Sequence, residues 1–214
     1  MMEQQRTVLN TGIFSAIGAI ICTVLFAIFL FPGIYILDML AYLVSLILSF
    51  SIVIMTVALK FSLSKDKSFL SSLAVIFSII YCVLVSIVYY VQISVVRLAD
   101  LSNEQLLIVS YAPPGTVFFA LDILGYFFLC VSTVFIALSM EKKEKVLRIL
   151  LFINGSLAPA VFIFPLLPFI YEKTSKVSTI NGGTIALFLW CILFVPICVL
   201  IVRYFIRKKR KLSY

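Results

Sequence analysis

Histidine is absent from all 214 residues, and only nine residues are acidic against seventeen basic ones. Without an imidazole there is no His general base and no His-ligated metal, which removes most hydrolase and metalloenzyme mechanisms. No H-E-x-x-H, no Walker loop and no pair of intramembrane carboxylates occurs either. The five cysteines, Cys22, Cys82, Cys130, Cys191 and Cys198, form no C-x-x-C pair, and all lie inside apolar runs. That argues against a disulfide framework or a thiolate metal site and leaves small hydrophobes suited to packing. The expectation is a non-enzyme with no catalytic residue, cofactor or metal.

Charge of either sign is scarce: charged side chains make up 12% of the chain, about half the share of a soluble domain. They are missing from residues 7–37, 39–59, 68–96, 149–171 and 177–202, and 105–140 holds only Asp122. Each stretch meets the roughly 20 apolar residues that a helix needs to cross a ~30 Å hydrocarbon layer. A mean hydropathy of +1.22 agrees. A membrane barrel would alternate apolar and polar residues over about ten positions. Runs such as Ile79–Val91 are apolar on every side, so the fold class is all-α: a polytopic transmembrane bundle of six helices. The expected spans are 12–31, 38–59, 69–96, 114–140, 147–171 and 182–203, in a single domain over 1–214. The first run ends in Phe29-Leu30-Phe31-Pro32 without a small-residue cleavage site, and reads as a span rather than a signal peptide.

The net charge of +8 follows topology. Arg6, the Lys60–Lys67 turn, the Lys142–Arg148 turn and the segment from Arg203 to Lys211 fall on one side of the spans and hold 14 of the 17 basic residues. Arg97, Lys173 and Lys176 fall on the other. The positive-inside rule then predicts a bacterial cytoplasmic-membrane protein with both termini cytoplasmic. The tail Arg207-Lys208-Lys209-Arg210-Lys211 fits anionic lipids beside the membrane, at about 1 kcal/mol per basic residue. It is too short and unsupported to bind nucleic acid.

Along the chain, Ser102-Asn103-Glu104-Gln105 carries a capping-box pattern and predicts a short helix in the longest outer connection, 97–113. Tyr35, Tyr42, Tyr89, Tyr90, Tyr111, Tyr126 and Tyr171 fall near the outer ends of spans, where a phenol can stay wet while its ring sits in lipid. Gly12, Ala16 and Ala19 form a smooth stripe for a close neighbour helix, either internal or from a membrane partner subunit. Asn154-Gly155-Ser156 suits an interhelical hydrogen bond, and Pro159, Pro165, Pro168 and Pro196 suit kinks. Leu37-Asp38-Met39-Leu40-Ala41-Tyr42 is echoed by Leu121-Asp122-Ile123-Leu124-Gly125-Tyr126, and both follow a Pro-Gly. With a fainter third copy at Gly182-Gly183-Thr184-Ile185, the echo is compatible with three parallel helical hairpins.

Asp122 is the sharpest candidate. If its span starts at Pro114, it lies about 12 Å inside the helix, where a carboxylate should face protein or water. It suits a cation, a proton or a solute ammonium, with Tyr126 beside it; a structural ion pair with Arg97 is the rival. Asp38 is a weaker ligand candidate, because an acid at a helix start complements the dipole.

The pattern Ala120-Leu121-Asp122-Ile123-Leu124-Gly125, a last span with Leu189-Trp190 and Phe194-Val195-Pro196, and the basic tail together resemble six-helix bacterial membrane proteins grouped as domains of unknown function. The resemblance covers most of the chain. It departs at the second aromatic expected after Gly125-Tyr126, which Phe127 answers in part, and it implies the six-helix fold without an activity. The leading expectation is thus a non-enzymatic multi-pass membrane protein. One alternative is a solute-binding or transport component, similar in size and span count to the capture subunits of vitamin transporters, with Asp122, Tyr126, Arg97 and Asp38 near an outward pocket. Those subunits dock their partner through an Ala-x-x-x-Ala stripe, to which Gly12-x-x-x-Ala16 is the nearest match here. Another is an immunity or signalling partner acting through 97–113.

Overall fold

The computed structural model describes residues 2–30, 35–96, 100–111, 116–166 and 182–212, and these are helical apart from short turns. The elements are α1 (Met2–Phe29), α2 (Tyr35–Ser62), α3 (Ser68–Val91) extended by a π-helical turn Gln92–Val96, and α4 (Asn103–Val109). There follow α5 (Val117–Ser139), α6 (Lys145–Ser156), α7 (Ala158–Ile163) with a 3-10 turn Phe164–Leu166, and α8 (Gly182–Arg210). Six segments are long and apolar enough to cross a membrane: α1, α2, α3, α5, the α6–α7 pair and α8. The bundle is all-α, that of a multi-pass membrane protein.

Its surface is inverted relative to a soluble domain. Phe14 and Phe69 are 75% and 73% exposed, while Thr23, Ser49, Ser78 and Asn154 are fully buried. Large apolar side chains outside and small polar ones inside are what a lipid solvent selects, since lipid gives no reason to hide Phe. The buried hydroxyls are satisfied locally: Thr23 donates to the Ala19 carbonyl at 2.7 Å, Ser49 to Leu46 at 2.8 Å and Ser78 to Val75 at 2.8 Å. Ser132 reaches across to the Ala74 carbonyl at 2.8 Å and ties α5 to α3.

The spans close into a ring in chain order: α1 packs on α2, α2 on α3, α3 on α5, α5 on α6, α6 on α8, and α8 back on α1. Successive hairpins are thus built from α1 with α2 and α3 with α5, while α8 leans more on α1 than on α6. Small residues set the close approaches. A Cβ added at Gly12 would stand 2.5 Å from Phe205 Cζ, so the neighbour that Gly12 meets is internal, on α8. A Cβ at Gly155 would collide with Val134 Cγ2 and press on the Cys130 carbonyl oxygen at 3.2 Å.

The fifth span is not one helix. Pro159 lacks the N–H that would bond the Gly155 carbonyl, and its ring crowds that carbonyl. The helix stops at Ser156, turns at Leu157 and restarts as α7 with Pro159 in its first turn. Pro196 leaves α8 unbroken. The expected continuation of the fifth span through 167–171 lies outside the described residues, as do Pro168, Lys173 and Lys176.

At the basic end, Lys208 Nζ pairs with Glu141 at 3.2 Å and donates to the Ser62 carbonyl at 3.0 Å. Arg207 meets Glu144 at 2.6 Å. Lys143 also pairs with Glu141, holding that carboxyl below its ordinary 4.5, with Lys208 adding to the effect. A lowered acid stabilises the fold above its unfolded pKa, and the contribution fades as pH falls through the folded value. The charged turns after α2 and α5 and the tail of α8 are therefore fastened together at one end.

Candidate functional site

At the opposite end the polar stripe of α3 turns inward. Its buried positions, Ser71, Ala74, Ser78, Tyr81, Val85, Val88 and Tyr89, recur at spacings of three and four, and Gln92 in the π-helical turn continues the face. On α5 the buried face runs Phe119, Asp122, Gly125, Tyr126, Leu129. Gly125 permits the two faces to meet, since a Cβ there would stand 2.9 Å from Val85 Cγ2.

Aromatic side chains fill the space where they meet. The hydroxyls of Tyr89 and Tyr126 are 3.4 Å apart. Tyr42 of α2 stacks on Tyr89 with centroids 5.6 Å apart, and Tyr81 lies 6.0 Å from Tyr126. Trp190 of α8 sets its edge against Tyr126 at 5.5 Å and stacks on Phe194 at 4.7 Å. The indole N–H donates to Asn154 Oδ1 at 3.1 Å, and Asn154 Nδ2 donates to Thr133 Oγ1 at 3.0 Å. This places α2, α3, α5, α6 and α8 in one contiguous cluster. It also explains Asn154, whose side-chain amide forms the interhelical bonds expected of it.

Asp122 sits at the heart of this cluster. α5 begins after the N-cap Thr116, which accepts from the Phe119 amide at 3.2 Å. Asp122 is thus five residues beyond Val117, about 7.5 Å along the axis rather than 12 Å. It is 0% exposed, and among the described residues neither carboxylate oxygen has a close hydrogen bond. The phenols of Tyr81, Tyr89, Tyr111 and Tyr126 lie within electrostatic reach of it. Of these, Tyr89 and Tyr111 are the two whose hydroxyls bear on the carboxylate as donors. Among the described residues no Lys or Arg pairs with it.

The approach to the cluster is held by Gln92. Its Nε2 donates to the Val109 carbonyl at 2.8 Å, and its Oε1 accepts from the Tyr111 amide at 2.9 Å. The expected capping box is present: Ser102 Oγ accepts from the Gln105 amide at 3.3 Å, and Gln105 Oε1 accepts from the Ser102 amide at 2.9 Å. One buried amide therefore fixes the far end of α4 and delivers Tyr111 to the carboxylate.

Of the residues singled out from sequence, the structure brings Asp122 and Tyr126 together. Asp38 lies in the first turn of α2, half-buried, at the start of the helix that carries Tyr42 to Tyr89. Arg97 lies outside the described residues. The aromatic-belt expectation needs correcting: Tyr90 is 64% exposed, but Tyr89 and Tyr126 are buried and turn inward. Tyr81, Gln92 and Trp190 were not singled out as site residues. The signal for the first two was in the sequence, because Tyr81, Tyr89 and Gln92 share one helical face in an otherwise apolar span. Comparison with protein-family models, curated proteins and solved structures finds no match to the chain. The functional argument therefore rests on these residues alone.

Gln92→Leu removes both bonds to the segment ending at Tyr111 and leaves a carbonyl and an amide unpaired. The local opening free energy should drop by about 1–3 kcal/mol. Hydrogen exchange over 103–111 should quicken by roughly 5- to 150-fold, while the centre of α3 stays protected. Unchanged exchange over 103–111 would show that Gln92 is not the clamp.

Proposed function

We propose that this chain is a non-enzymatic, multi-pass protein of the bacterial cytoplasmic membrane that binds a small cation at Asp122 from the outer side, as a solute-binding or transport component. The observation that carries the reading is the fully buried Asp122 carboxylate, with no Lys or Arg paired to it among the described residues, inside a tyrosine cluster. An ionised carboxylate in that position is costly until it is paired. Tyrosine faces attract ammonium groups, by about 0.5–2 kcal/mol each. Carboxylate and phenols together favour a solute bearing an amine over a neutral one.

The placement of basic residues supports the orientation. The segments carrying 14 of the 17 basic residues are charged connections and a tail, and three of them are fastened at one end through Lys208, Glu141 and Ser62. With that end cytoplasmic, the Asp122 cluster lies toward the outer face. Reporter fusions within 141–146 should read cytoplasmic and those within 100–110 external; the reverse pattern would put the cluster on the inner side.

Thermal unfolding of purified protein in detergent tests the site, with methylammonium and tetramethylammonium as probes, sodium chloride as control, and pH as a second axis. A ligand stabilises only the state that binds it, by about 2.7 kcal/mol at a hundredfold excess over Kd. The wild-type protein should show a saturable rise in Tm with an ammonium probe. Asp122→Asn should fold and show none. If no probe and no pH change moves the wild-type Tm, and Asp122→Asn couples non-additively to Arg97→Gln, Asp122 is scaffold instead.

A further inference from the structure

The second concentration of unpaired charge lies at the basic end, in a cleft between α6 and α8 of about 650 Å³. Arg203, Arg207 and Arg210 line it from α8, at spacings of four and three that place them on one face over about 10 Å. Lys143, Glu144 and Lys145 line it from the start of α6. Glu144 is engaged by Arg207, and Lys143 is engaged by Glu141. Lys145, Arg203 and Arg210 have no ion pair among the described residues. Three like charges thus face one cleft whose single acid is already used.

The first turn of α6 adds to the field. Glu144 occupies the N-cap position without a side-chain cap, and the first intrahelical bond runs from the Arg148 amide to the Glu144 carbonyl at 3.0 Å. The amides of Lys145, Val146 and Leu147 precede that bond, so the dipole's positive end borders the cleft. The remaining wall is apolar: Val146, Leu147, Leu200 and Ile206. Val146 is 62% exposed and joins the lipid-facing surface that includes Ile149 and Val199. A free phosphate has no use for that wall. A phospholipid uses both halves.

We infer that the α6–α8 cleft seats an anionic phospholipid, with Lys145, Arg203 and Arg210 on its phosphate and the apolar wall beneath its acyl chains. A mere topology anchor needs charge near a span end, without a cleft or an apolar wall. Basic recesses between spans on the cytoplasmic side suit such headgroups, each cation contributing about a fivefold gain near the surface.

Native mass spectrometry and thermal unfolding of the full chain in detergent test this, with phosphatidylglycerol, phosphatidylcholine and inorganic phosphate as the three probes. Phosphatidylglycerol should stay bound and raise Tm, with phosphatidylcholine and inorganic phosphate giving little. Lys145→Gln, an exposed site that does not threaten folding, should weaken phosphatidylglycerol about fivefold, and Arg203→Gln with Arg210→Gln about thirtyfold. Lys65→Gln with Lys67→Gln, equal in charge but away from the cleft, should change it far less. Equal retention of the two lipids, equal loss in the control pair, or an equal shift with inorganic phosphate would each overturn the lipid seat. The last outcome would leave a free-anion site.

Discussion

Across a ~30 Å hydrocarbon layer no water is at hand, and every polar group must find its partner within the protein. That constraint orders this bundle from backbone to site. Helices satisfy the main chain. Serine and threonine hydroxyls return to carbonyls three or four residues earlier, and Asn154, Thr133 and Trp190 satisfy one another across three helices. Gln92 uses both ends of its amide. Among the described residues the unpartnered buried side-chain atoms are the Ser45 hydroxyl and both oxygens of Asp122. A lone hydroxyl costs a little. A lone carboxylate costs enough to need a reason, and binding a cation supplies one.

The fold was legible because lipid leaves so few options. Uncharged runs of adequate length can only be helices or barrel strands, and the absence of period-two alternation decided between them. The capping box at Ser102 and the small stripe from Gly12 to Ala19 were also readable, since each depends on local chemistry. The identity of Gly12's neighbour was not. Gly12 meets Phe205 from the far end of the chain, a pairing set by ring closure between α1 and α8. Likewise the break at Leu157 follows from Pro159, but the sequence did not show whether three successive prolines would bend the span or divide it.

The site was half legible. Asp122 stood out as the one charge in a long apolar run, and Tyr126 as its neighbour one turn on. Tyr89 was misassigned because a tyrosine near a span end satisfies the interfacial rule equally well whether it faces lipid or protein. What settles the matter is rotation about the helix axis. Tyr89 shares its face with Tyr81 and Gln92, whereas Tyr90, one residue on, points out. The same geometry gives the two echoed segments a shared destination, since Tyr42 and Tyr126 both meet Tyr89.

The central claim is that the buried Asp122 carboxylate binds a cation, and infrared difference spectroscopy of its carboxyl stretch tests that most directly. Spectra of the wild-type protein before and after adding an ammonium probe at fixed pH, with the Asp122→Asn spectra subtracted, isolate this one group. The account predicts a saturable change in the Asp122 carboxyl band with the ammonium probe and none with a neutral isostere. A band that stays fixed throughout the titration would contradict it.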